Sequence, residues 1–139
     1  APLRRLYNGR YTSGQKDTSC LICSSNSVTK NGGPVGNEPH WTIERKTDTK
    51  IVFKASNGKY MCDDTGPFTG VVKLVDAASS KCVLWTPVKN DDDSWSFKHE
   101  RNADGEWLTF EQWLSAHRTD ELVVTMNKNL ACEKFWLES

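Results

Sequence analysis

The sequence predicts an all-β domain made of three pseudo-symmetric units, and three observations carry that prediction. Gly9-Arg10-Tyr11, Gly58-Lys59-Tyr60 and Gly105-Glu106-Trp107 share a glycine, a charged residue and a large aromatic. Each triplet is followed by a segment carrying a tryptophan: His40-Trp41-Thr42-Ile43, Leu84-Trp85-Thr86-Pro87 and Phe135-Trp136-Leu137-Glu138. The pattern therefore recurs at intervals of about 44 to 51 residues, the mark of a repeat architecture. Helical periodicity is nearly absent, and the apolar runs are short, β-branched or aromatic, and interrupted by Gly, Asn, Asp and Ser. About four strands per unit, or about twelve in all, can close into a short barrel capped by three hairpins, the β-trefoil. A seven-stranded sandwich leaves the recurrence unexplained, and three blades are too few for a propeller.

The units span roughly residues 1–47, 48–92 and 93–139 of a single domain. In the first, strands are expected at 4–7, 10–12, 20–23 and 41–44, each with at least one β-branched or aromatic residue or a pair of large apolar ones. The second has them at 50–55, 59–62, 71–75 and 83–86, and the third at 94–98, 106–110, 122–126 and 135–138. Asn8-Gly9, Asn57-Gly58 and Asp104-Gly105 sit between strands, where a tight turn needs positive φ. Residues 24–39, with Asn31-Gly32-Gly33-Pro34 and Gly36-Asn37, read as the most exposed and mobile loop. Asn90-Asp91-Asp92-Asp93 reads as a second polar connection. Trp41, Trp85 and Trp136 occupy matching places and are assigned to the core. Tyr11, Tyr60 and Trp107 also match one another and are expected to close the barrel or to pack under the turns.

Charge narrows the partners. Lys and Arg number 18, as do Asp and Glu, so the chain is neutral. That disfavours a nucleic-acid surface, and no apolar run reaches transmembrane length, so no membrane insertion is expected. Five cysteines is an odd count, and no Asn-x-Ser/Thr site occurs. Both lean toward a reducing, cytoplasmic setting with Cys20, Cys23, Cys62, Cys82 and Cys132 as buried thiols, secretion staying open. Cys20-Leu21-Ile22-Cys23 has no second pair, and in an extended strand its two thiols face opposite ways, so it does not read as a metal or redox motif.

Trp41-Thr42-Ile43-Glu44, followed by Ile51-Val52-Phe53-Lys54-Ala55-Ser56-Asn57-Gly58-Lys59-Tyr60-Met61, resembles the repeating sequence of fascin-like β-trefoils of the actin-crosslinking superfamily. There a W-x-[VIL]-E strand precedes a strand ending in Asn/His-Gly-[Lys/Arg]-[Tyr/Phe]-[Leu/Met]. A related group of plant β-trefoils shares the pattern, and Gly66-Pro67-Phe68-Thr69-Gly70 and Leu84-Trp85-Thr86-Pro87-Val88 fit it too. The likeness covers residues 41–89 well and thins in the outer thirds. It implies a β-trefoil that binds actin or other cytoskeletal filaments. Fascin uses four such domains and this chain has one, so bundling would require two faces or a dimer; a monomer is expected. Only His40, His99 and His117 are present, unlike histidine-rich actin-binding trefoils, and the Gln-x-Trp of ricin-type lectins is missing.

No catalytic constellation emerges. Gly-x-Ser-x-Gly and phosphate-loop patterns are missing, and the histidines are scattered over the units. Asp63-Asp64 and Asp91-Asp92-Asp93 lack the alternation of a calcium loop and read as solvated turn acids. The expectation is a non-catalytic binding protein without a cofactor. Arg10, Lys54 and Lys59 are the candidate contacts to an acidic actin surface, within a wider basic set of Arg4, Arg5 and Lys128. A carbohydrate-binding lectin is the alternative, using Asn57, Asp63 and Asp64, or Trp113 in a unit-three insertion at 111–118, where an indole can stack on a sugar. A protease inhibitor acting through the 24–39 loop is the third reading.

Overall fold

A computed structural model describes residues 2–3, 5–8, 20–30, 40–63, 70–76, 81–101, 110–116, 123–126 and 128–139. Among these residues every regular element is a strand, apart from two 3-10 turns at Lys81–Val83 and Ala131–Glu133. The strands are β1 (Pro2–Leu3), β2 (Arg5–Asn8), β3 (Leu21–Ser24), β4 (Ser27–Lys30), β5 (Trp41–Arg45), β6 (Ile51–Ala55) and β7 (Tyr60–Asp63). They continue with β8 (Gly70–Val75), β9 (Thr86–Lys89), β10 (Trp95–Arg101), β11 (Phe110–Ser115), β12 (Val124–Met126) and β13 (Phe135–Glu138). All thirteen belong to one sheet, in the order β1-β5-β6-β7-β8-β12-β11-β10-β13-β2, with β3, β4 and β9 as branches. The two ends of that path, β1 and β2, are separated in the chain by residue 4 alone, so the sheet nearly closes into a barrel. No helix among the described residues is long and apolar enough to cross a membrane.

Three strand pairs share one register. Ile43 of β5 lies opposite Phe53 of β6, Pro87 of β9 opposite Phe97 of β10, and Leu137 of β13 opposite Leu6 of β2. In each case the first residue lies two positions after a buried aromatic, Trp41, Trp85 or Phe135. The third pair joins the two ends of the chain. Alternation along each strand then sends Leu6, Phe53 and Phe97 inward. Phe53 and Phe97 meet edge to face at 4.9 Å, and Trp41 and Trp85 each approach Phe53 at 6.4 Å. The buried indoles are also satisfied as polar groups: Trp41 Nε1 donates to Leu21 O at 2.9 Å and Trp85 Nε1 to Met61 O at 3.1 Å. A buried N–H left unpaired costs about 1–3 kcal/mol.

Several expectations are corrected. Trp136 is not a core residue: it is half-buried and stacks on Tyr7 at 6.3 Å, while the neighbouring Phe135 is fully buried. The third repeat is thus matched by the position of Phe135, one residue before the tryptophan. Residues 27–30 of the expected loop form strand β4, paired with β3, and bury Val28; residues 31–39 lie outside the described residues. The expected strand at 83–86 is broken, with Val83 ending a 3-10 turn and β9 starting at Thr86. Two of the thirteen described strands lie outside the expected set, the short arm β1 against β5 and strand β4. The expected strand at 10–12 and most of that at 106–110, including Tyr11 and Trp107, lie outside the described residues.

The cysteine assignment changes most. Cys62 and Cys82 are joined by a disulfide, not buried as two thiols. The bond ties the 3-10 turn Lys81–Val83 to β7. It seals a small second cluster on the outer side of the sheet, in which Val52, Cys62 and Val83 are buried and Tyr60, Val75 and Leu84 pack around them. Cys20 is buried as expected, whereas Cys23 and Cys132 are only half-buried.

Candidate functional site

The β6–β7 connection collects three of the residues singled out for binding. Ala55 and Phe53 face the core, so Lys54 between them faces outward, and its partner across the ladder is Tyr60 of β7. The turn between these strands closes because Gly58 takes φ +86°, a conformation that L side chains rarely adopt. Its N–H donates to Ala55 O at 2.9 Å. The Asn57 side chain fixes the next step, its Oδ1 accepting from Lys59 N at 3.1 Å. Its Nδ2 donates to Ser25 O at 2.9 Å, in the turn between β3 and β4. Lys59 Nζ reaches across the same junction to Asn26 Oδ1 and lies 4.0 Å from Asp76 Oδ1.

Lys73 of β8 belongs to the same outer face. It is exposed, lies opposite Cys62 of β7 on one side and Ser27 of β4 on the other, and alternates with buried Val72 and Leu74. Lys54 and Lys73 therefore share the outer face with half-buried Tyr60, and Lys59 lies at the adjoining turn. Asp76, 4.0 Å from Lys59 Nζ, has an exposed side chain, so that pair contributes at most about 1 kcal/mol. Both ends of the Asn57 amide are engaged within the protein.

The other predicted residues lie elsewhere. Asp63 is 1% exposed on β7 opposite Val72, so it is a buried strand residue and not a solvated turn acid. Asp64 and Arg10 lie outside the described residues. Arg5 donates to Glu138 Oε1 at 3.2 Å, tying β2 to β13, and Lys128 is exposed far along the chain. Asp91, Asp92 and Asp93 are exposed at the β9–β10 turn. There Asp92 Oδ1 accepts from Ser94 Oγ at 2.5 Å and Ser94 N at 3.0 Å, which hold its carboxyl below the ordinary 3.8.

Trp113 is not on an insertion. It is the middle of strand β11, opposite Lys98 of β10 and Met126 of β12. Its neighbours Gln112 and Leu114 are buried, so the half-buried indole faces outward, with Lys98 Nζ 5.9 Å from the ring centroid. Lys98 in turn lies opposite Thr86, whose Oγ1 accepts from Lys50 Nζ at 3.1 Å. No protein-family model matches the chain, and no curated protein matches it.

Sequence reasoning missed Lys73, Asn26 and Lys98. Lys73 was legible in principle, since Val71-Val72-Lys73-Leu74 alternates as a half-buried strand does. Asn26 was not, because its role depends on two turns from different units meeting.

Proposed function

We propose that the protein is a non-catalytic, fascin-like β-trefoil that binds the acidic surface of actin filaments through Lys54, Lys59 and Lys73. Support for the trefoil comes from the three strand pairs of identical register and the buried aromatic leading each. Trp41 on β5, the Asn57-Gly58 turn at positive φ, and Tyr60-Met61 opening β7 support the fascin-like reading of this stretch. A fold alone does not select a partner, so Lys54 and Lys73 on one outer face, with Lys59 at the adjoining turn, are the observation that carries the filament reading. Co-sedimentation tests it. Wild type is expected to pellet with filamentous actin in a salt-sensitive way, and Lys54→Glu/Lys59→Glu to weaken binding roughly ten-fold or more. Absence of pelleting at low salt removes the reading.

One pair of observations favours a second reading, a lectin. The Cys62–Cys82 disulfide fits an oxidising compartment, where glycans rather than cytoskeletal filaments are at hand. The outward indole of Trp113 beside Lys98 offers a flat face on which a sugar can stack. Glycan-array binding that is lost in Trp113→Ala, with actin pelleting absent, selects this reading over the first.

A further inference from the structure

The junction between the first and second units holds a nucleophile and a base that neither binding reading uses. Cys23, in β3, places its Sγ 3.7 Å from His40 Nδ1 and 3.2 Å from Ser56 Oγ. The same sulfur also lies 3.7 Å from His40 O. Three separate segments meet here: the end of β3, the residue leading into β5, and the β6–β7 turn. Ser56 N donates to His40 O at 2.9 Å, so the histidine backbone is pinned to the turn that carries the serine hydroxyl. Cys23 and His40 are half-buried and Ser56 is exposed, so the sulfur lies at a surface that small reagents can reach. The remaining cysteines differ. Cys20 is buried, Cys62 and Cys82 are bonded to each other, and Cys132, half-buried like Cys23, lies in the second 3-10 turn.

From this geometry we infer that Cys23 and His40 form a thiol–imidazole pair that makes Cys23 the protein's site of S-thiolation by low-molecular-weight disulfides. Nucleophilic sulfur chemistry requires the thiolate, and an adjacent imidazole that accepts the proton supplies it near neutral pH. The Cys23 thiol passes its proton to His40 Nδ1, and the thiolate attacks one sulfur of the small disulfide. A new S–S bond forms at Cys23 as the reagent's own S–S bond breaks. The departing small thiolate takes up the proton from His40. Oxidation of Cys23 is balanced by reduction of half of the reagent, and no other oxidant takes part. Ser56 Oγ, at hydrogen-bond distance, steadies the thiolate. Among the described residues, the charged side chains on the neighbouring segments include Lys30 of β4, Lys54 of β6, Lys59 in the β6–β7 turn and Asp76 beyond β8.

Incubation of the native protein with oxidised glutathione, then peptide mass mapping, tests the assignment. A single adduct on Cys23 is expected before any on Cys20 or Cys132, and iodoacetamide is expected to show the same order. His40→Gln, verified as folded by near-ultraviolet circular dichroism, is expected to slow Cys23 alkylation at least ten-fold at neutral pH. The deficit should close as pH rises toward about 8.5, where an unassisted thiol ionises on its own. Cys132 or Cys20 reacting first in wild type overturns the proposal whether or not the variant folds. A His40→Gln pH profile identical to wild type also overturns it.

Discussion

Phe53→Ala probes the centre of the fold. Phe53 is fully buried, and its ring is met by Trp41 and Trp85 at 6.4 Å and by Phe97 at 4.9 Å, all edge-on or nearly so. Truncating such a ring forfeits its transfer free energy and leaves a cavity, together about 3–5 kcal/mol. Three ring contacts on one side chain place this site at the upper end, because edge-to-face pairs add about 0.5–1.5 kcal/mol each beyond area. Single domains are stable by about 5–15 kcal/mol, so this is a large fraction, equivalent to about 10–20 °C in Tm at this chain length. Trp136→Ala is the internal control. It removes a larger ring, but one that is half-buried and stacked, among the described residues, on Tyr7 at 6.3 Å, and about 1–2 kcal/mol is expected. Urea unfolding followed by far-ultraviolet circular dichroism avoids the altered indole signal, and unchanged m values confirm a like-for-like comparison. Equal losses for the two variants, or a Phe53→Ala cost below about 1 kcal/mol, would refute the assignment of Phe53 to the shared core and Trp136 to the rim.

Three further outcomes are expected. Reduction of Cys62–Cys82, which spans 20 residues, should cost about 3 kcal/mol by the chain-entropy relation; a Tm unchanged by reductant argues against the bond. Gly58→Ala meets no neighbouring atom within 4 Å but must hold φ +86°, so a loss of about 1–2 kcal/mol in denaturant melts is expected from backbone strain alone. Asp92 is expected to titrate below 3.8 by carbon-detected NMR, because Ser94 donates to its ionised form. A carboxyl depressed in the fold contributes its stability at neutral pH, and that contribution disappears as pH falls through the folded-state value. Ser94→Ala should move the midpoint back toward 3.8, and an unmoved midpoint contradicts the stated cause.

The parts of the fold visible in the sequence were those governed by short-range rules. Ile51-Val52-Phe53-Lys54-Ala55 alternates and is β-branched, Asn57-Gly58 is a turn dipeptide, and both elements occur where these rules place them. The third repeat was read one residue out of step, because Trp136 looks like Trp41 and Trp85 although the inward-facing position belongs to Phe135. Residue type points to Trp136, whereas the pairing of Leu137 with Leu6 across the chain ends sets the phase. Strand β4 was hidden because Ser27-Val28-Thr29-Lys30 is short and polar; its partners are β3 and, through Ser27, the distant Lys73. The disulfide was invisible for the same reason, since an odd cysteine count says nothing about which two Cα atoms come within 4.9 Å. Of the candidate site, Lys54, Asn57 and Lys59 were found because they lie in one stretch of chain. Lys73, Asn26 and the Cys23–His40 pair were not, because tertiary packing alone joins them to it.

The repeated strand register is the claim on which the rest stands, and cross-strand nuclear Overhauser effects measure it directly. The account predicts contacts of comparable strength for Ile43 with Phe53, Pro87 with Phe97, and Leu6 with Leu137, the last linking opposite ends of the chain. Loss of the Leu6–Leu137 contact, or its replacement by a pairing one residue displaced so that Trp136 turns inward, would contradict it.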